Sequence, residues 1–238
     1  MRDRMILRSR VLSEISLLGE HCIIGGWARD IAHRGTAAFQ SDIDIVIDPD
    51  DYYTFHTWAS SLGGIKNRFG GYRLGLHAWK IDIWALQDTW AHTAGHVEVK
   101  NFEDLLKCTF FDWDAILYSP ITRKITCNID YFEKINSQTL DINLPENPNP
   151  RGSAVRALRR LAQWQLSPSE RLSEYLLNVI GIYGWVDILH LESAAFSRPI
   201  LLNFDAAKVV NLLETGMPWR GNTDGIGDAS SRQLEIEF

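Results

Sequence analysis

Two aspartates alternate at the start of an otherwise apolar run, DIDIVID, at residues 42–48. In a β-strand, residues i and i+2 project from the same face, so Asp42 and Asp44 would stand side by side while the isoleucines face the core. Neighbouring carboxylates repel each other, and burying them is costly unless a cation compensates their charge. Mg²⁺ suits such a pair because it takes oxygen ligands and shares its remaining positions between water and phosphates. We expect two Mg²⁺ ions, for which Mn²⁺ could substitute, arranged to assist an in-line phosphoryl displacement.

A glycine pair, Gly25 and Gly26, lies upstream between a short apolar run, HCII, and a helix-like segment, WARDIAHR. Glycine lets the backbone come close to a ligand, and the amides that start the following helix can hold a phosphate. The order strand, Gly-Gly, helix, loop and Asp-x-Asp strand therefore predicts a site for a metal-bound triphosphate. The alternative is a solvated edge strand on which Asp48 and Asp50 continue an acidic surface. The hydroxyl of Ser41 either binds the γ-phosphate or is an ordinary polar group at the start of the strand.

The elements that must position these residues predict an α+β fold. The pattern of residues 1–86 predicts a helix over 4–18, which is followed by a strand, a helix, a second strand and a third helix. A hairpin around Gly70 and Gly71 and a further strand, WKIDIWAL, come after them. Together these elements predict a mixed sheet. Further along the chain, residues 101–119 predict a helix and residues 121–127 a strand.

A Pro/Asn-rich segment, LPENPNP, marks the predicted boundary between two domains. We expect a first domain at residues 1–146 and a mainly helical region at 147–238. The helical region has helix-like spacing at 152–166, 168–184 and 204–215, followed by a tail rich in glycine, serine and aspartate.

The composition excludes some classes of function. The chain has 238 residues and a net charge of −6, whereas proteins that grip long nucleic acids over a wide face are usually basic. We therefore expect no extended duplex-binding surface, although a local basic pocket for a triphosphate stays open. The sequence contains no uninterrupted run of about 18 apolar residues, so we expect no membrane span. Three cysteines without a CxxC pair indicate reduced thiols, so we expect a cytoplasmic protein with no membrane partner.

The segment GGWARD…SDIDIVID resembles the nucleotidyltransferase motif of the DNA polymerase β superfamily. It is similar in particular to the head of bacterial CCA-adding enzymes and poly(A) polymerases, whose pattern is GGxxRD followed by DxD. The resemblance implies a polymerase β-like head in which Gly25 and Gly26 lie at the triphosphate and Asp42 and Asp44 bind the metal ions.

The same resemblance implies that Arg29 and Asp30 shape the nucleotide site. Without it, these residues would be explained equally by a surface ion pair on the helix. Members of the superfamily often have a third carboxylate on a later strand of the sheet, and Asp82 in WKIDIWAL is a candidate for it. Asp82 would then bind metal and help to activate the attacking hydroxyl as a general base. The alternative is an edge-strand acid paired with Lys80 or Arg73.

Two later segments extend the resemblance less closely. Residues 104–125 are similar to the family's second motif, approximately RRDFTINALAYDP. The corresponding positions are Lys107, Phe110, Asp114, Ala115 and Tyr118.

Residues 147–170 resemble the neck segment, in which Arg156 and Arg159 match arginines that would face the triphosphate or the base. The Glu-Asp-x-x-Arg element of that segment is absent. A basic helix face exposed to solvent is the alternative explanation for the two arginines.

The sequence thus predicts a template-independent, Mg²⁺-dependent nucleotidyltransferase. It would transfer NMP or dNMP from an NTP or dNTP, such as ATP, to a hydroxyl acceptor. The acceptor would be an oligonucleotide 3′ end, extended or built as a short oligonucleotide and used in some small relatives as a bacterial antiviral defence signal. Alternatives are a toxin-type nucleotidyltransferase that modifies a protein side chain or a tRNA, and a non-catalytic nucleotide-binding scaffold.

Overall fold

The computed structural model describes residues 13–34, 42–67, 69–76 and 79–219, which divide into two compact units. The first, here called the sheet unit, runs to Thr109 and includes Trp113–Ile129. The second, here called the helical unit, contains Phe110–Asp112 and resumes at Asp130. The predicted boundary between residues 146 and 147 instead falls inside the helical unit.

The sheet unit is built on a seven-stranded sheet. Its strands are β1 Gly19–Ile24, β2 Ile43–Pro49, β3 Ile65–Lys66, β4 Tyr72–Leu76, β5 Trp79–Ala85, β6 Ile116–Ser119 and β7 Lys124–Cys127. The strand order is β3-β4-β5-β2-β1-β6-β7. The pair β2 and β5 is parallel and the other neighbouring strands are antiparallel, which confirms the predicted mixed sheet and α+β class.

Short helices cover this sheet. The α-helices of the unit are α1 Gly26–Arg34, α2 Tyr52–Ser61 and α3 Trp90–Thr93, and residues 13–16 are also helical. The 3₁₀ turns of the unit lie at Leu86–Asp88 and Phe102–Lys107, and a third turn, Asp112–Asp114, begins at the last residue of the Phe110–Asp112 segment of the helical unit. Helix α2 begins where Asp51, as the N-cap, accepts a hydrogen bond from the Thr54 amide at 2.8 Å. The rest of the predicted N-terminal helix, from residue 4, lies outside the described residues.

The two faces of the sheet bury different side chains. On one face, Cys22 and Val46 join Leu105, Leu106 and other residues of the segment before β6 in one hydrophobic cluster. On the opposite face, α2 packs against the sheet, and its Phe55 ring lies 6.2 Å from that of Tyr72. The first face is the one on which Asp44 lies, because the residues that pair in register across neighbouring strands share a face.

The predicted helix over residues 101–119 is wrong. The structure has two 3₁₀ turns there, followed by strand β6. Strand β6 pairs with β1, and apolar side chains of the first turn join the hydrophobic cluster on that face of the sheet. Pairing with a distant strand therefore overrides the local helical spacing.

The helical unit follows the expected pattern more closely. Its α-helices are α4 Tyr131–Asn136, α5 Pro150–Trp164, α6 Glu170–Tyr183, α7 Trp185–Ala195 and α8 Ala206–Thr215. A 3₁₀ turn lies at Leu201–Asn203, and short strands β8 Thr139–Leu140 and β9 Ser167–Pro168 pair in parallel. The NPNP segment proves to be a helix start rather than a linker, since Asn149 caps α5 and Pro150 is its first residue.

The cysteines and the lengths of the helices bear on two further expectations. The three cysteines are free thiols, and burial raises the pKa of Cys22 to about 12. Over the part of the chain that the structure describes, helices are too short or too polar to cross a membrane.

Candidate functional site

Three charged residues form one row across adjacent strands of the sheet, here called the charged row: Arg73 on β4, Asp82 on β5 and Asp44 on β2. Arg73 lies opposite Asp82, and Asp82 lies opposite Asp44. Directly paired residues on neighbouring strands project from the same face, so the row brings the two acids together. Asp44 is also paired with Ile24 of β1, the last residue before the glycine turn.

The glycine turn lies beside the Asp44 carboxylate. Gly25 has a φ of +78°, which glycine adopts readily, and its N–H donates to the carbonyl of Ile116 at 3.1 Å. A Cβ added to Gly25 would lie 3.7 Å from Oδ2 of Asp44. The bend and the carboxylate are therefore direct neighbours.

Helix α1 starts immediately at this bend, with Gly26 as its first residue. The amide of Arg29 makes the first helical hydrogen bond, to the Gly25 carbonyl at 3.0 Å. The amides before it have no acceptor within the helix, and the first turn carries no acidic side chain. This end of α1 consequently favours an anion.

The pKa of Asp44 is raised well above its ordinary value. Burial is the largest cause, and the neighbouring carboxylates of Asp82, Asp42 and Asp114 raise it further, whereas Arg73 lowers it. Desolvation and like charge both oppose ionisation here. The ionised carboxylate would therefore be stabilised by a cation placed beside it.

Asp82 is held by Arg73. The arginine Nε donates to one carboxylate oxygen at 2.9 Å and an Nη donates to the other at 2.6 Å. The pairing with Arg73 anticipated as an alternative is present. It is not on an edge strand, because β5 lies between β4 and β2 and Asp82 is only 9% exposed. The metal-binding and general-base roles of Asp82 stay predictions.

Arg29 joins two acids within the sheet unit. It is 6% exposed, and its guanidinium donates to Asp30 at 2.8 and 3.0 Å and to Asp114 at 2.5 Å. The alternative of an exposed pair on the helix surface is therefore wrong. Sequence reasoning placed Asp114 in a loosely matching motif but gave it no partner, because the bond spans 85 positions of the chain.

The carboxylates near the turn suit Mg²⁺ in their chemistry. Over the described residues, His, Cys, Asp and Glu side chains do not form a group of three or more that would hold a metal ion. Mg²⁺ does not need such a group, since it is commonly bound by one or two carboxylates together with water and substrate phosphates. Asp42 and Asp44 supply such a pair at a position where the surrounding charge is acidic.

The remaining predicted site residues lie elsewhere or outside the described residues. Arg159 is 3% exposed in the helical unit, where it donates to the buried Glu192. The prediction that Arg159 contacts the nucleotide is wrong, because its guanidinium is paired with Glu192. The alternative of a solvated helix face is also wrong, because Arg159 is buried. Arg156 donates to the Ser153 hydroxyl at 3.0 Å, and its nucleotide role stays a prediction. Ser41 lies outside the described residues.

Comparison with known proteins yields structural matches. No protein-family model and no curated protein matches the sequence. The fold is similar to that of the Thermotoga maritima CCA-adding enzyme complexed with tRNA, with a TM-score of 0.55 and 16% identity. That match covers 87% of this chain and 51% of the other.

Two structures with CTP give comparable matches. A tRNA-processing enzyme with CTP matches with a TM-score of 0.51 and 17% identity, over 87% of this chain and 54% of the other. A CCA-adding enzyme with CTP matches with a TM-score of 0.50 and 18% identity, over 87% and 51%. The chain spans about half the length of the solved structures it matches. These likenesses confirm the predicted fold.

Proposed function

We propose that this chain is a metal-dependent nucleotidyltransferase that moves a nucleoside monophosphate from an NTP or dNTP to a hydroxyl acceptor. The observation that carries the proposal is that the Gly25 bend lies beside the Asp44 carboxylate, whose Oδ2 would be 3.7 Å from a Cβ added to Gly25, within a fold similar to that of CCA-adding enzymes. A phosphate site at a helix start and a carboxylate pair for Mg²⁺ are the parts that a metal-bound triphosphate requires.

The residues around the bend have separate roles in binding the triphosphate and the metal ion. The Gly25–Gly26 bend lets the triphosphate approach the backbone, and the amides at the start of α1 bind its oxygens. Asp42 and Asp44 would hold Mg²⁺, which would neutralise charge on the phosphates and orient them. Arg29 fixes Asp30 and Asp114 around the bend through its hydrogen bonds.

The reaction is a phosphoryl substitution in line. The acceptor oxygen forms a bond to the α-phosphorus while the bond from that phosphorus to the bridging oxygen breaks, and pyrophosphate leaves. The acceptor loses its hydroxyl proton to solvent or to a nearby carboxylate. Catalysis of this kind rests mainly on positioning and on stabilisation of charge.

We propose the 3′-hydroxyl of an RNA or short oligonucleotide as the acceptor. Support comes from the fold likeness to structures that were determined with tRNA and with CTP. The net charge of −6 favours a short acceptor over an extended duplex. The same assay identifies the nucleotide base, and a role in defence signalling is a further part of the hypothesis.

The test is a labelled-nucleotide assay with the full chain. Each ribo- and deoxyribonucleoside triphosphate is supplied with Mg²⁺, either alone, with RNA primers or with tRNA, and products are resolved by gel and mass spectrometry. We expect extended or newly built oligonucleotides that require Mg²⁺ and disappear in Asp44→Asn. Label on the protein itself would indicate a side-chain acceptor, and no product under any condition would contradict the proposal.

A further inference from the structure

The Arg73–Asp82 ion pair bears on how many metal ions the site holds. Both oxygens of Asp82 accept hydrogen bonds from one guanidinium, at 2.9 and 2.6 Å. The planar fork of arginine matches a carboxylate in this two-bond arrangement, and such pairs are among the stronger charge-assisted interactions. The negative charge of Asp82 is therefore already matched from within the chain.

The position of this pair matters as much as its geometry. Asp82 lies in register with Asp44 on the neighbouring parallel strand, and Arg73 lies in register with Asp82 on the strand beyond it. Asp82 therefore stands between Arg73 and Asp44 in the charged row. Its positive charge acts on Asp44 in the direction opposite to that of the surrounding acids. A divalent ion next to Asp82 would have to displace the guanidinium and would be repelled by it.

The sequence predicts two metal ions and a metal-binding role for Asp82. The described residues do not offer that arrangement, since they contain no group of three or more acidic, histidine or cysteine ligands. The described residues contain an acidic pair, Asp42 and Asp44. The next carboxylate, that of Asp82, already forms an ion pair with Arg73.

We propose that Arg73 takes the place of a second metal ion, so that the site holds a single divalent cation on Asp42 and Asp44. The Arg73–Asp82 pair leaves little net charge beside that cation and contributes no metal ligand. This inference rests on the metal site of the proposed function, and it replaces the expectation of two ions.

Mn²⁺ binding to the full chain, followed by electron paramagnetic resonance of the free ion, tests the inference without an activity readout. We expect one bound Mn²⁺ in the wild type and two in Arg73→Ala, because Asp82 is then released. In Asp82→Asn we expect one ion, bound about tenfold more weakly, because Arg73 is left without its counter-charge near Asp44.

The double variant Arg73→Ala/Asp82→Asn keeps the test decisive if Arg73→Ala fails to fold, as judged by circular dichroism. Removing both partners leaves no isolated buried charge. We expect the double variant to bind one Mn²⁺ with close to wild-type affinity. As a matched control, Arg151→Ala removes an arginine from an Asp187 pair of the helical unit, with a 3.0 Å N–O distance, and should leave binding unchanged.

Several results would overturn the inference. Two ions in the wild type would contradict a single-ion site, and loss of one of them in Asp82→Asn would make Asp82 a ligand. A tenfold or greater loss of affinity in the double variant would also make Asp82 a ligand. A well-folded Arg73→Ala that still binds one ion would show that Arg73 does not exclude the second. A wild type that binds no Mn²⁺ would instead contradict the metal site itself, and with it the proposed function.

Discussion

The two units use buried charge in opposite ways. In the helical unit, Glu192 is fully buried, and its carboxylate accepts hydrogen bonds from Arg159 and from the amides of Ile200 and Leu201, both at 2.9 Å. Arg159 also donates to the Arg198 carbonyl at 3.1 Å. The charges match, and their partners are supplied by the unit itself. Such a cluster organises the structure around it.

In the sheet unit, the charges around the glycine turn are predominantly acidic. Burial raises the pKa of Asp44, and the charges of Asp82, Asp42 and Asp114 raise it further. Neighbouring carboxylates without a compensating cation are a costly arrangement for structure alone. A matched buried pair therefore supports the fold, whereas an acidic excess beside a glycine bend points to a ligand.

The largest expected effect comes from removing the charge of the acidic pair. Asp42→Asn and Asp44→Asn should each lower kcat/KM for nucleotide transfer on the order of 10³-fold, because the metal loses a ligand. Asp48→Asn is the matched control, since Asp48 lies on the same strand, is exposed and accepts from Gln87 at 3.1 Å. Equal activity in the three variants would remove the distinction between site acids and surface acids.

Breaking the matched pair of the helical unit should affect stability. Glu192→Ala leaves Arg159 buried without its carboxylate, so the free energy of unfolding should fall by about 3 kcal/mol or more. Denaturant titration measures this loss, and transfer activity per folded molecule should remain at the wild-type level. Glu192→Gln, which keeps acceptor capacity, should be less harmful. A change within about 0.5 kcal/mol for Glu192→Ala would show that this pair does not support the fold.

Gly25→Ala should affect both stability and activity. A side chain at a φ of +78° costs about 1–2 kcal/mol, and the added methyl would stand beside Oδ2 of Asp44, where the triphosphate is expected. Gly63→Ala is the matched control, since Gly63 has a φ of +72° and nothing lies within 4 Å of an added Cβ. Thermal unfolding should show similar losses in both variants, but triphosphate affinity should fall only in Gly25→Ala. An equal fall in both would mean that strain alone is responsible.

The smallest expected effect is a pH dependence of stability in the absence of metal. The folded pKa of Asp44 is raised, so the folded state binds the proton more tightly than the unfolded state does. The resulting stabilisation is fully present below about pH 3.9, the unfolded pKa, and is lost as the pH rises through the folded pKa. Unfolding curves between roughly pH 4 and 8 should show this decline in the wild type but not in Asp44→Asn. Parallel curves for the two proteins would contradict the raised pKa.

The local part of the site could be predicted from the sequence. The spacing of Asp42 and Asp44, and the glycine pair between a strand and a helix, are short-range patterns that fix one strand face and one turn. Strand β2 and helix α1 accordingly form close to where the spacing predicts them. The glycine bend and Asp44 lie close together because β1 pairs with β2.

The long-range partners could not be predicted in the same way. The Arg29–Asp114 and Arg159–Glu192 pairs join positions 85 and 33 residues apart, and no local spacing identifies them. Strand β6 was missed because its pairing with β1, rather than its own periodicity, determines its conformation. The position of Arg73 beside Asp82 was among the alternatives, but its consequence for the metal site depends on the register with Asp44.

The central claim is that Asp42 and Asp44 bind a metal-bound triphosphate beside the Gly25 bend. The most direct test is calorimetric titration of the full chain with an NTP that the protein accepts, with and without Mg²⁺, in the wild type and in Asp42→Asn/Asp44→Asn. We predict that Mg²⁺ tightens binding at least about tenfold in the wild type and has no effect in the double variant. Equal NTP affinity in all four titrations would contradict the claim.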